Sequence, residues 1–275
     1  MRHLLSAATG AACLLTSACG RDESQSNTAS NAANAVQRPV VPNVPIPAPE
    51  PPLDRERLLV AAMRAASDFA AGADDRERQK QLAGRKFEFR IRFGCGWASG
   101  GSAAPFSWSM NGTTGALKVR ATQDLSPNDP PVEALAGQSF ETVEGFWVRR
   151  PWLLGAVCPR TAEPASTEQA ASGAEPKLER NVGIAQFFTP TGPRTLRRSG
   201  RAYEATKRLE AGDRPVEGFD LLLAGRLAPL PDGRVIACTA SLAGDRPTCV
   251  ISVEFGKVSI ERADTREQLA QWGDG

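Results

Sequence analysis

The side chains that could do chemistry in this sequence are carboxylates, arginines and cysteines, because histidine is almost lacking. The 275 residues contain one histidine, His3, near the start of the chain. Beyond it, Ser-His-Asp and Cys-His catalysis, histidine-ligated zinc or haem, and a histidine pH switch are excluded. We find no glycine-rich phosphate loop, no Gly-x-Ser-x-Gly, no HExxH and no calcium-loop spacing. The sequence predicts no catalytic residue and no metal ligand, and it leans away from an enzyme.

Carboxylates are the one type of catalytic group that is abundant in this sequence. Glycoside hydrolysis needs two carboxylates that face each other across a cleft. The chain has 31 Asp and Glu residues, and their spacing singles out no pair. Asp220 precedes three leucines, so we expect it to be partly buried with a raised pKa, although a strand-face or capping role explains it equally well. A carboxylate-dependent glycan hydrolase stays an alternative without assigned residues.

One cysteine, Cys19, lies in a distinctive setting near the N-terminus. A short positive start, Arg2 and His3, precedes the apolar run 4–15, which is too short to span a bilayer. The small residues 16–18 then lead directly into Cys19. This pattern resembles the lipobox of bacterial lipoproteins, and the chain as a whole resembles the exported lipoproteins of Gram-negative bacteria.

The resemblance implies an anchor and a location. Residues 1–18 would be removed as a signal peptide, and Cys19 would carry a covalent lipid, with no other cofactor expected. Gly20 stands where an Asp tends to retain such proteins at the inner membrane, which implies the periplasmic side of the outer membrane. The alternatives are an ordinary secreted protein and a buried N-terminal helix. The resemblance implies no specific function.

The charge of the chain gives no reason to expect a nucleic-acid partner. Cleavage after residue 18 leaves 32 Lys and Arg (33 less Arg2) against 31 Asp and Glu. A nearly neutral protein has no strong long-range attraction for polyanions.

Four cysteines beyond residue 90 predict two disulfides, because an even number in an oxidising compartment is typical of bridges. Cys238 and Cys249 lie symmetrically about the turn residues 243–245 between strand-like flanks, and a hairpin would place them opposite each other. Cys95–Cys158 follows by elimination. A metal site or a redox pair lacks support, because there is no Cys-x-x-Cys spacing.

The segment from Phe146 to Trp152 is the first candidate binding site. Trp147, Arg149, Arg150 and Trp152 could bind a sugar ring or an anionic ligand through stacking and cation–π contacts. The alternative is that both tryptophans fill the core while both arginines lie on the surface.

Residues 194–208, which we call the basic segment, are the second candidate. The segment holds one acid, Glu204, against six cations, which are Arg194, Arg197, Arg198, Arg201, Lys207 and Arg208. Guanidinium groups bind phosphates and carboxylates in bidentate fashion, so lipid phosphates, lipopolysaccharide, peptidoglycan or an acidic protein surface would suit. The alternative is a solvated loop that is balanced by acids elsewhere in the fold.

The composition divides the chain after the signal peptide into a tether and a folded part. Residues 19–53 begin with a polar stretch and end in a segment with seven prolines at 39–52, which predicts a disordered, extended tether. Residues 54–275 are long enough for one large domain or two small ones. Within them, 161–176 is poor in large apolar residues and is predicted to be a surface insertion.

Hydrophobic periodicity predicts an α+β fold, mainly antiparallel β-sheet, with an N-terminal helix or helical hairpin and two disulfides. Asp54 would cap a helix over 55–70 whose apolar face comprises Leu59, Ala62, Met63, Ala66, Phe69 and Ala70. A second helical stretch covers 74–82. Strands are predicted at 86–93, 106–110, 117–121, 140–148, 182–188, 218–227, 234–240, 249–255 and 258–260, with 266–272 a helix or a last strand.

Three functions of different classes are compatible with these features. The favoured one is a membrane-anchored, non-enzymatic module that binds an envelope protein or an anionic envelope polymer. The second is a carrier or sensor of a small apolar ligand inside the β-rich domain. The third is the glycan hydrolase considered above.

Overall fold

The computed structural model describes residues 48–73, 75–95, 104–136, 139–159, 180–210 and 212–274. The predicted signal peptide, Cys19, most of the tether and the predicted insertion 161–176 lie outside the described residues. From Pro49 onward the chain forms one compact unit. None of the helices in the described ranges has the length and apolar character needed to cross a membrane.

The unit is mostly β-sheet, as the sequence predicts. The helices are α1 (Arg55–Ala70), α2 (Arg76–Leu82) and α3 (Pro130–Ala136). The strands are β1 (Lys86–Phe93), β2 (Phe106–Met110), β3 (Ala116–Ala121), β4 (Thr142–Trp147), β5 (Val182–Phe188), β6 (Tyr203–Arg208), β7 (Phe219–Leu227), β8 (Ile236–Thr239), β9 (Thr248–Arg262) and β10 (Gln268–Gly273).

The larger sheet is organised around β9. Its strand order is β1-β7-β9-β5-β4, and β8 and β10 also pair with β9. All of these pairs are antiparallel except β5–β9, which is parallel. The smaller sheet is β2-β3-β6, with β2 and β3 joined by the turn at Asn111. The predicted fold class is confirmed at this level.

Strict alternation builds the main core. Phe87, Phe89, Ile91 and Phe93 of β1 are all buried, while Lys86 on the opposite face of the strand is exposed. Leu53, the last residue of the predicted tether, is also buried, and its N–H donates to the Lys86 carbonyl at 2.8 Å. Leu53 therefore belongs to the folded part and not to the tether.

Helix α1 is confirmed, but its buried face is rotated from the predicted one. The Arg57 N–H donates to Asp54 Oδ1 at 2.9 Å, so the predicted cap is present. The buried positions are Arg55, Leu58, Leu59, Ala62 and Ala65. Met63 and Phe69, which the apolar pattern assigned to the core, are exposed.

Three elements differ from the sequence prediction. The predicted strands 249–255 and 258–260 are one strand, β9, because a bulge near Gly225 absorbs the change of register. A Cβ at Gly225 would lie 2.0 Å from the Glu254 carbonyl oxygen, so the bulge requires glycine. Strand β6 and helix α3 were not predicted, whereas β10 is the strand that was one of the two alternatives predicted for 266–272.

Both predicted disulfides are present. Cys238 and Cys249 are direct cross-strand partners on β8 and β9, with their Cα atoms 4.1 Å apart. Cys95 and Cys158 join the end of β1 to the segment that follows β4, with Cα atoms 5.5 Å apart. The second bridge closes a loop of 63 residues.

Candidate functional site

The two tryptophans of the first candidate site lie in different environments. Trp147 is only 2% exposed and packs with Leu125, Val132 and Val143 in a small second core. Trp152, five residues later, is 62% exposed. The structure therefore does not bring the two indoles together into one stacking surface.

Hydrogen bonds to two aspartates hold Trp147 in place. Its backbone N–H donates to Asp124 Oδ1 at 2.9 Å, and its indole Nε1–H donates to Asp129 Oδ2 at 3.1 Å. Burial raises the pKa of Asp124 to about 6, although the Trp147 N–H and the charges of Arg149 and Arg180 act in the opposite direction. Both carboxylates are thus engaged by the fold.

The arginines between the tryptophans also make contacts within the fold. The Arg149 guanidinium lies 4.9 Å from the ring centroid of Phe106. Arg150 has a backbone φ of 50°, which is unusual for a residue with a side chain, and its carbonyl accepts a hydrogen bond from Arg55 at 3.3 Å. These residues shape a tight turn that leads into Trp152.

A buried arginine that the sequence analysis missed holds this turn against α1. Arg55 donates to the carbonyls of Leu153, Arg90, Arg149 and Arg150 at 3.0–3.3 Å, and it lies over the Phe89 ring. Burial lowers the pKa of Arg55 to about 10, so it remains charged near neutral pH. A charged residue at the first position of an amphipathic helix gives no sign of this role in the sequence.

The basic segment is largely neutralised by its own fold. Arg194 and Arg197 both pair with Glu141, at 2.6 and 3.0 Å. Buried Glu144 accepts the backbone N–H groups of Arg198 and Ser199 at 2.7 and 2.8 Å. The segment thus binds a carboxylate, but the carboxylate belongs to β4 of the same chain.

Arg198 is held on the aromatic edge between the two sheets. Its guanidinium lies 4.8 Å from the Tyr203 ring centroid and 5.9 Å from that of Trp272, and it donates to the Ala202 carbonyl at 2.7 Å. The Nε–H of Arg201 donates to the Arg198 carbonyl at 3.2 Å. The predicted anion-binding arginines therefore act mainly as connectors between β4, β6 and β10.

A different surface combines exposed apolar residues from distant parts of the chain. A groove of about 320 Å³ lies beside one flank of α1, and we call it the α1 groove. Its lining includes Met63, Ala66, Ala70, Trp152, Val182 and Pro247. Although its side chain is large and apolar, Met63 is 46% exposed. Exposed apolar side chains that line a groove make it a candidate binding site.

Two other depressions are lined by mixed charges. One, of about 410 Å³, has Lys86, Glu88, Arg226 and Glu254 among its lining residues. The other, of about 510 Å³, lies at the start of α1 and includes Arg90 and Arg266. Arg90 pairs with Glu88 and Glu261, and Arg266 pairs with buried Asp220. These surfaces carry their own counter-charges.

Asp220 is fully buried, which goes beyond the partial burial expected from the sequence. Arg92 donates to both of its carboxylate oxygens, at 2.7 and 3.2 Å, and Arg266 donates to one at 2.6 Å. Two arginines thus compensate one buried carboxylate across β1, β7 and the β9–β10 turn. This contact explains the residue without a catalytic role.

The space between the two sheets is filled by aromatic side chains. The ring centroids of Phe93 and Phe106 lie 5.1 Å apart, those of Phe106 and Phe146 5.9 Å, and those of Phe146 and Tyr203 6.2 Å.

The described residues contain no cluster of three or more His, Cys, Asp or Glu side chains that could hold a metal ion. The α1 groove is therefore the site on which we base a function.

Comparison with protein-family models, with curated protein sequences and with solved structures found no match to this chain.

Proposed function

We propose that this protein is a lipid-anchored, non-enzymatic envelope module that docks another protein in the α1 groove. One observation carries the proposal: Met63 and Trp152, two large apolar side chains that line the groove, are both substantially exposed. Aromatic residues and methionine are enriched in protein interfaces relative to the rest of the surface. An exposed tryptophan beside a preformed groove is the typical composition of a binding hot spot.

A protein partner fits the surface better than an anionic polymer does. A polymer site would need several guanidinium groups open to solvent on one face. Glu141 and Glu144 instead occupy the donors of Arg194, Arg197 and the Arg198 backbone. The α1 groove is mainly apolar, which suits the side chains of a protein.

The envelope location rests on the sequence and agrees with the disulfides. The residues before Cys19 resemble a lipobox, and acyl chains on that cysteine would anchor the protein, since each buried methylene contributes about 0.8 kcal/mol. Cys95–Cys158 and Cys238–Cys249 suit an oxidising compartment outside the cytoplasm. We place the protein on the periplasmic side of the outer membrane.

Photo-crosslinking in cells tests this function. A photoreactive amino acid replaces Trp152 in one strain and Val216 in a second, because Val216 is equally apolar and 75% exposed but does not line the groove. A third strain carries the probe at Arg198. We expect one dominant protein adduct from position 152 and none from position 216. Glycan or lipopolysaccharide adducts from position 198, without a protein adduct from 152, would contradict the proposal.

A further inference from the structure

The two disulfides differ in how far solvent reaches them. Cys238 and Cys249 are 7% and 1% exposed, and they are direct partners within the β8–β9 ladder. Cys95 and Cys158 are only half-buried, at the end of β1 and in the segment that follows β4. Because a thiolate must reach a sulfur atom to exchange with a disulfide, an external thiol has better access to the Cys95–Cys158 bridge.

The Cys95–Cys158 bridge is the main attachment of residues 155–158, which we call the strap. Within the described part of the chain, the single backbone hydrogen bond of the strap is local, from the Val157 N–H to the Gly155 carbonyl at 3.0 Å. The Val157 side chain is 54% exposed. The residue before the strap, Leu154, packs against the main core. The strap itself therefore depends on its disulfide to stay in place.

The strap forms one wall of the depression of about 510 Å³ at the start of α1. Gly155, Ala156 and Val157 line this depression together with Arg90 and Arg266. Movement of the strap would therefore change how far water and dissolved ligands reach these two arginines.

The two arginines belong to a buried ionic cluster that adjoins the depression. Asp220 and Glu261 are direct cross-strand partners on β7 and β9, and both are buried. Arg266 pairs with Asp220 at 2.6 Å, and Arg90 pairs with Glu261 at 3.3 Å. Like charges that lie directly opposite each other on a sheet repel, so these arginines are needed to hold the two carboxylates together.

We propose that the Cys95–Cys158 disulfide is a reducible switch that holds the strap closed. An external dithiol reduces this bridge while Cys238–Cys249 stays intact, and the strap then leaves the depression at the start of α1. Release is favoured because the freed strap gains conformational entropy and few contacts oppose it. The inference goes beyond the proposed docking function and does not rest on it.

The exchange takes place in two steps. A thiolate of the dithiol attacks one sulfur of the bridge, so that the S–S bond breaks, a mixed disulfide forms and the other cysteine leaves as a thiolate. The second thiolate of the dithiol then attacks the mixed disulfide and releases the remaining cysteine. Both cysteine thiolates take up protons. The protein thus gains two electrons and two protons, and the dithiol is oxidised to a disulfide.

Reduction of the purified protein by dithiothreitol tests the switch. The protein is incubated with this dithiol, samples are alkylated over time, and peptide mapping gives the reduced fraction of each bridge. We expect Cys95–Cys158 to be reduced about tenfold faster or more than Cys238–Cys249. Near-ultraviolet circular dichroism verifies that the protein stays folded.

Backbone NMR relaxation measures whether the strap is released. We expect the order parameters of Ala156, Val157 and Cys158 to fall below about 0.6 on reduction, while those of Val250 and Ile251 in β9 stay near about 0.85.

Two double variants provide matched controls, since each lacks one bridge. Cys95→Ser with Cys158→Ser should show the mobile strap without any reductant, whereas Cys238→Ser with Cys249→Ser should keep the strap ordered. Equal reduction rates for the two bridges, or loss of the fold on reduction, would overturn the inference. Unchanged order parameters in the strap after reduction would also overturn it.

Discussion

The carboxylate of Glu144 accepts the backbone N–H of Arg198 at 2.7 Å and thereby closes the basic segment onto β4. Its other oxygen accepts the Ser199 N–H at 2.8 Å. Two consecutive N–H groups form a cradle of the kind that binds external anions in many proteins. Here the anion is part of the fold, so the most basic stretch of the sequence is a structural element.

Replacement of Glu144 should therefore destabilise the protein. Glu144→Ala removes the charged acceptor of two N–H groups in a partly buried site, and we expect a loss of about 2 kcal/mol in the free energy of unfolding. The control is Glu141→Ala, whose exposed pairs with Arg194 and Arg197 should contribute about 1 kcal/mol or less. Urea denaturation measures both. Equal losses would contradict the structural role of Glu144.

The buried Arg55 gives a second prediction about stability. Arg55→Lys keeps a positive charge but cannot reach four carbonyls from one planar group, so we expect a loss of about 2–4 kcal/mol. Arg57→Lys, two residues along the same helix at an exposed position, should change stability by less than about 0.5 kcal/mol. A small effect of Arg55→Lys would show that the clamp on the turn before Trp152 is not needed.

Asp124 should make stability depend on pH in an unusual direction. Its pKa rises from 3.8 to about 6 on folding, so stability falls as the pH rises from about 4 to 6, and the full penalty of ionising this partly buried carboxylate applies above pH 6. Asp124→Asn keeps an acceptor for the Trp147 N–H and removes that penalty. We expect a gain of about 3 kcal/mol at about pH 8, shrinking to near zero at about pH 4. Urea unfolding at both pH values tests this, and a pH-independent effect would contradict it.

The two disulfides should differ in their contributions. In the chain-entropy model a loop of 63 residues gives about 4 kcal/mol and a loop of 11 residues about 3 kcal/mol. Replacing Cys95 and Cys158 by serine should therefore destabilise the protein more than the same change at Cys238 and Cys249. Thermal and urea unfolding of the two double variants measure the difference. The opposite order would show that native contacts outweigh loop entropy here.

Local patterns were sufficient to predict much of this fold. The alternation over Phe87–Phe93 specifies a strand with one buried face. Asn111 specifies the β2–β3 turn, because its side chain accepts the Thr113 and Thr114 N–H groups. Cys238 and Cys249 could be paired because a hairpin makes them neighbours. In each case the residues that determine the structure are close in sequence or alternate along a single strand.

Other features depend on contacts that no local pattern contains. The burial of Arg55 rotates α1 relative to its apolar stripe, so Met63 faces solvent although its spacing indicates core. Strand β6 was hidden by its basic composition, because Glu267 pairs with Lys207, whose charge looked solvated in the sequence. The α1 groove joins residues far apart in sequence, so only the three-dimensional structure brings Met63 and Trp152 to one surface.

The central claim is that a protein docks in the α1 groove, and crosslinking from position 152 in helix variants tests it most directly. Met63→Glu and Val60→Glu place the same charge at residues of α1 that are both 46% exposed, but only Met63 lines the groove. We predict that the protein adduct from position 152 is lost in Met63→Glu and kept in Val60→Glu, at equal protein levels. An adduct that survives Met63→Glu, or that both variants abolish equally, would contradict docking in this groove.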